Sequence, residues 1–161
     1  MKTDLQCVTQ KSIIWDKIAT TSHCFEMSMD QLERKQTGCY LTGLTLTEVM
    51  MKELVHQLRE DNREFSSLKF LEPCVGTGNF VFAYLKAIAE LNLPKNDIES
   101  VLNNIYVADI NDDALTLYKS LMTEFVDAYF GISLDESYFE EHIGGGLLLN
   151  VAAEQISYID I

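Results

Sequence analysis

Apolar and polar positions follow two rhythms along the chain. Over the first thirty-odd residues, stretches such as "CVTQKSIIWDKIAT" mix both kinds without glycine or proline, which predicts one or two short helices. Trp15 is expected to pack there as a large buried anchor. In "TGCYLTGLTLTEVMMKELVHQL", Leu46, Val49, Met50, Leu54, Val55 and Leu58 recur at helical spacing. Thr45, followed three residues later by Glu48, reads as a capping box. A loop from Thr37 to Leu44 thus feeds a helix ending near Glu60, with Met50 and Met51 in the core.

The rhythm then changes. "SLKFLEP" is a short apolar run closed by Pro73, which cannot donate to a sheet ladder, so a strand should stop there. Behind Asn79, the positions Phe80, Ala83, Tyr84, Ala87, Ile88 and Leu91 are helical in spacing. Strand, glycine turn and helix in that order open a Rossmann-type unit. "NLPKNDIES" reads as a polar connection, with room for a short helix after it. "NIYVADIN" is a second strand with an acid at its end, and "DDALTLYKSLMTEFVDAYF" is a long amphipathic helix capped by Asp112 or Asp113. A helix at "SLDESYFEEH" with a solvated acidic face follows, and "GGGLLLNV" and "ISYIDI" read as two more strands. The β-α-β-α alternation predicts an α/β fold on a parallel sheet.

Composition narrows the function. A chain of 161 residues with 47% apolar content is the size of one ordinary domain with a real core. There is no leader-like start and no apolar run near the ~18 residues of a membrane span, so a soluble cytoplasmic protein without membrane contact is expected. Cys7, Cys24, Cys39 and Cys74 show no zinc-gripping spacing and read as reduced thiols, with Cys74 a small buried loop residue. His23, His56 and His142 have no partner spacing and are expected at the surface or in packing. Twelve Lys and Arg against 25 Asp and Glu leave a net charge of −13. Nucleic acid is gripped by neutralising phosphates, so DNA binding would need cations from another segment or a partner subunit.

Chemistry concentrates in "FLEPCVGTGNFVF", Phe70 to Phe82. No lysine follows Gly78 as a P-loop requires, and Val81 stands where a dinucleotide fingerprint needs its third glycine. Glu72, before Pro73, would repel a pyrophosphate, yet it suits a ligand with cationic groups such as S-adenosylmethionine. Gly76 and Gly78 would let backbone approach that ligand. Asp109, at the end of the second strand, can accept hydrogen bonds from both ribose hydroxyls. It lies further from Glu72 than the ~20 residues of a compact unit, and "LNLPKNDIESVLNN" accounts for the excess.

"LEPCVGTGNF" resembles the Asp/Glu-Pro-x-x-Gly-x-Gly-x-Phe motif of DNA amino-methyltransferases. "TGCYLTGLTLTEVM" is similar to the Gly-x-Tyr/Phe-x-Thr-Pro motif ahead of it in the gamma-class adenine enzymes, and "VADINDDAL" to their second-strand acid motif. The resemblance covers roughly Thr37 to Leu115. It implies an N-terminal helical extension, residues 1–36, and a partial methyltransferase domain with a Rossmann-like sheet, residues 37–161. It also implies that Tyr40 and Thr42 lie over the methionine part of the cofactor. Glu72, with Pro73 beside it, would face the ammonium side, and Gly76 and Gly78 would line the cleft ahead of Phe80. Asp109 would hold the ribose, with Ile110 against the adenine.

Departures from the family are Gly43, where proline is usual, and Gly146, where Asp or Asn is usual. The Asn-Pro-Pro-Tyr/Phe loop that holds the target adenine is missing, although "YIDI" resembles the strand before it. No residue is therefore assigned as catalytic, and methyl transfer by this chain alone is not expected. Two other readings stay open: a degenerate, non-catalytic interaction module, and a fragment of a protein-glutamine methyltransferase. A sheet missing its later strands would have an unpaired edge, which would favour self-association.

Overall fold

The computed structural model describes residues 4–32, 34 and 40–144. The first helix, α1 (Asp4–Ser28), is one continuous element rather than one or two short ones. With no glycine or proline to interrupt it, nothing stops the hydrogen-bond ladder. Ile14 and Ile18 are buried against α5 (Asp112–Phe130), and Lys17 donates to Glu124 on that helix at 2.6 Å.

Helix α2 (Leu44–Glu60) departs from its predicted form in two ways. It starts one residue before Thr45, with Gly43 at the N-cap and no side-chain cap, so the Thr45–Glu48 capping box does not form. Glu48 instead accepts from Lys86 at 2.8 Å, where a full cation offers more than one amide. The buried face is Thr47, Met51 and Val55, while Leu46, Val49, Met50 and Leu54 lie outside. Met50 is therefore a surface residue and only Met51 is core. The opposed helix, α3 (Asn79–Glu90), decides which apolar stripe is used, because α2 packs along it.

A 3-10 turn (Phe65–Ser67) leads into β1 (Phe70–Glu72), which stops at Pro73 as predicted. Helix α4 (Lys95–Asn103) begins within the stretch read as a polar connection, because Pro94 suits the entry to a first helical turn. Strand β2 (Ile105–Ala108) precedes α5, and α6 (Glu136–His142) precedes β3 (Ile143–Gly144). The third strand thus starts at Ile143, ahead of "GGGLLLNV". The remainder of that stretch, with Gly146, and all of "ISYIDI" lie outside the described residues.

The three strands form a parallel sheet in the order β1-β2-β3. Phe70 pairs with Ile105 and Glu72 with Val107, and Val107 in turn pairs with Ile143. This is an α/β arrangement with one main core. Ile105 and Val107 point into it, and Phe70 stacks on Tyr84 of α3 at 4.7 Å. Phe82, Leu85 and Ile88 of α3 meet Leu121, Met122 and Phe125 of α5 in the same cluster. On the other face of the sheet Leu71 is 44% exposed. Among the described residues no helix is long and apolar enough to cross a membrane.

Candidate functional site at the strand ends

Parallel strands β1 and β2 run side by side, so the residues after each emerge at the same end of the sheet. Open α/β sheets place ligands there. Glu72 ends β1, and its Oε1 accepts from the Cys74 amide at 3.2 Å. Pro73 and Cys74 are exposed, so Cys74 is not the buried loop residue expected of it. The chain then dives inward as the Val75 amide donates to the Ala108 carbonyl at 2.9 Å, lashing the turn to the end of β2.

Both glycines are required by conformation, and Gly78 by crowding as well. Gly76 has φ +53°, and a Cβ there would stand 2.5 Å from Leu41 Cδ2. Gly78 has φ +101°, and its Cβ would stand 2.6 Å from both Phe82 and Tyr118. The absence of a side chain at Gly78 serves packing of the turn on α5 as well as any approach to a ligand. Burial pushes the Tyr118 hydroxyl behind the turn well above its ordinary range, and that of Tyr84, which stacks on Phe70, to about 12, so both are neutral.

Asp109 follows β2 directly and is half-buried. Its Oδ2 accepts from the Gly76 amide at 2.7 Å, and its Oδ1 from the Asn111 amide at 2.9 Å. One carboxylate thus holds the glycine turn and the start of α5 together. Each oxygen has about two lone-pair positions and uses one in these bonds, which leaves acceptor capacity toward a ligand hydroxyl. Neither Asp112 nor Asp113 caps α5. Asn111 does so, accepting from the Ala114 amide at 3.0 Å. A residue one position earlier has the extended backbone (φ −101°, ψ 106°) that an N-cap needs.

A buried chain of polar groups ties the turn to two distant segments. Ser22 of α1 lies 2.7 Å from the Thr77 hydroxyl and donates to Asn79 Oδ1 at 2.7 Å. Asn79 Nδ2 in turn donates to the Thr42 carbonyl at 2.9 Å. This bond and the contact of Leu41 with Gly76 bring the 40–43 loop over the glycine turn. Gly43 there has φ −58°, a value that proline shares. The predicted residues Thr42, Glu72, Gly76, Gly78 and Asp109 are therefore gathered in one corner. Thr42 is half-buried, while Tyr40 is 57% and Ile110 84% exposed. Phe80 turns away and packs against the core.

Ser22, Thr77 and Asn79 were missed by sequence reasoning. One signal existed: Ser22 follows Ile14 and Ile18 at intervals of four, a hydroxyl on the apolar stripe of a helix. Such a residue needs a partner when buried.

A cavity of about 340 Å³ lies at the opposite ends of the strands, among Glu99, Asn103, Asp135, Tyr138 and His142. Both His142 ring nitrogens there face carbonyls, of Tyr138 at 2.7 Å and Asn103 at 3.0 Å, and the ring stacks between Tyr106 and Tyr138. His142 is a buried packing residue at this end of the sheet. Among the described residues no three His, Cys, Asp or Glu side chains converge as a metal site.

The corner at the strand ends offers two carboxylates from adjacent strands and a turn that carries no side chain at Gly76 and Gly78. This donor set fits a ligand with hydroxyls and cationic groups better than one with phosphates. No known protein family, no curated protein and no solved structure matches the chain.

Proposed function

We propose that this chain is the S-adenosylmethionine-binding portion of a DNA adenine methyltransferase of a restriction-modification system, built on a Rossmann-like methyltransferase sheet. The observation that carries the reading is the meeting of three separate sequence motifs at one corner. The Tyr40–Thr42 loop is held over Gly76 by Leu41 and Asn79, and Asp109 is bonded to that same glycine. Charge supports the choice of ligand, because carboxylates at two strand ends favour an ammonium and a sulfonium and disfavour a pyrophosphate.

In this reading Asp109 accepts from the ribose hydroxyls while keeping the Gly76 amide. Ile110 lies against the adenine, Glu72 faces the ammonium group, and Tyr40 and Thr42 cover the methionine part. The cofactor, when bound, supplies an activated methyl group. The chain's own residues bind and orient it. No Asn-Pro-Pro-Tyr stretch occurs in the sequence, so the target base and the DNA backbone are the task of regions outside it or of a partner subunit.

Calorimetric titration with S-adenosylmethionine, with NAD as control, tests the reading. Saturable heat with the first ligand only is expected, and Asp109→Ala should weaken binding at least ~10-fold, the loss of about one charge-assisted hydrogen bond. Circular dichroism on the variant separates loss of the site from loss of the fold. An absence of heat from a folded chain would remove the cofactor reading and favour a non-catalytic interaction module.

A further inference from the structure

Helix α1 falls in the stretch expected to be an N-terminal extension, yet its Ser22 reaches into the binding corner. Ser22, Thr77 and Asn79 are 5%, 0% and 6% exposed, so each must find its partners within the protein. The Thr42 carbonyl sets the direction of the whole chain of bonds. A carbonyl can only accept, so the Asn79 amide turns its Nδ2 toward Thr42, at 2.9 Å, and its Oδ1 toward Ser22. Ser22 then gives its one hydroxyl proton to Oδ1 at 2.7 Å, and Thr77, also at 2.7 Å, must donate to Ser22.

We propose that Ser22 is a positioning residue of the corner: through Asn79 it holds the 40–43 loop over the glycine turn, so that α1 is a working part of the ligand site. Among the described residues Ser22 supplies the one hydrogen bond to Asn79 Oδ1. Without it a buried oxygen loses its donor, and the amide can regain one only by turning away from Thr42. Leu41 packs on Gly76 without preferred direction, whereas the Asn79 bond fixes where the Thr42 backbone stands. Coupling between sites is reciprocal, so whatever docked α1 adds to ligand affinity, the ligand returns to the docking of α1. The ligand half of this inference rests on the S-adenosylmethionine reading above; the hold of Ser22 on the loop does not.

Two attachments of α1 can be told apart. Ser22 joins it to the turn, while Lys17 joins it to Glu124 of α5 at 2.6 Å without involving the turn. Only the first should matter to the ligand.

Titration calorimetry of the full chain with S-adenosylmethionine, paired with hydrogen exchange of the ligand-free chain, tests the proposal. Ser22→Ala should weaken binding roughly 10-fold, within the usual range of coupling between sites. Alanine is the better helix former, so a weaker α1 would not account for the loss. Ser22→Thr and Ser22→Val share one shape and differ in the hydroxyl, so crowding is common to both and the threonine variant should bind the tighter. Lys17→Ala should leave affinity unchanged. Without ligand, Ser22→Ala should speed exchange of the Leu46 and Thr47 amides, which the Gly43 carbonyl holds, and of the Gly78 amide in the turn. The Ala114 amide, capped locally by Asn111, should keep its rate. Binding by the parent that Ser22→Ala leaves untouched, or that Lys17→Ala weakens as much, would overturn the proposal and leave the cofactor reading in place. A folded parent that gives no heat would sink the cofactor reading instead, and exchange would decide alone. Unchanged Leu46, Thr47 and Gly78 amides, or an Ala114 amide quickened equally, would then overturn the hold of Ser22, and selective quickening would uphold it.

Discussion

Two β-turn-α connections stand side by side in this protein and solve the same problem differently. The turn after β1 runs through Gly76 and Gly78, both at positive φ, and is buried beneath the 40–43 loop and against Tyr118. The turn after β2 has no glycine. It is built from Asp109 and Asn111, whose side chains bond to amides two and three residues onward. The second is an ordinary local cap. The first depends on partners from three other places: Ser22, the Leu41–Thr42 loop and Asp109. A turn that gives up side chains to admit close approach loses the means to hold itself, and its neighbours must supply that.

The sharpest way to break the contrast is Gly78→Ala. The new Cβ meets Phe82 and Tyr118 at 2.6 Å on a backbone at φ +101°, so overpacking and backbone strain should cost on the order of 3 kcal/mol. Chemical denaturation will show this as a lower midpoint. Next comes Ser22→Ala, which strips a buried partner from Thr77 and Asn79 together. It should cost about 2 kcal/mol, although Ser22 lies 55 residues from the turn. Equal stability of this variant and the parent in the same denaturation experiment would mean that the turn holds itself after all. Asn111→Ala, at the locally capped turn, should cost only about 1 kcal/mol. Asn111→Gly should recover most of that, measured as thermal midpoints.

The smallest effect concerns acid. Burial alone would raise the Glu48 carboxyl, but bonds and charge from Lys86 and Lys52 outweigh it and hold the group below its ordinary value. A lowered folded-state value means that stability is complete above the ordinary carboxylate range and is lost as pH falls through the lowered one. The contribution should be about 0.5 kcal/mol for so accessible a cluster. Melting temperatures of Glu48→Gln and the parent should therefore differ at neutral pH and converge in strong acid.

What was legible in the sequence follows the same division between local and distant causes. Pro73 ends β1, the apolar spacing behind Asn79 marks α3, and acids sit at the ends of both strands. Each of these rests on neighbours in the chain. The register of α2 was misread because Leu46, Val49, Met50 and Leu54 form as good a stripe as Thr47, Met51 and Val55. Only the position of α3, with Lys86 reaching Glu48, decides between them. The caps were misplaced by one or two residues because Gly43 and Asn111, which the structure uses, compete with the nearby threonine and acids for N-cap positions on nearly equal terms. Among the residues gathered at the corner, Glu72, Gly76, Gly78 and Asp109 were singled out from spacing. Ser22 and Leu41 were not, since neither a hydroxyl nor a leucine on its own announces a contact with a distant turn.

The bond from Gly76 to Asp109 joins residues 33 apart and crosses from one strand to the next. It can exist only while β2 is docked beside β1, so the shape of the corner reports on the pairing of the sheet. The Val75 amide, which donates to the Ala108 carbonyl, ties the two together a second time. A substitution that loosened the pairing of β1 with β2 would therefore unsettle the glycine turn as well, although it touched none of the turn's own residues.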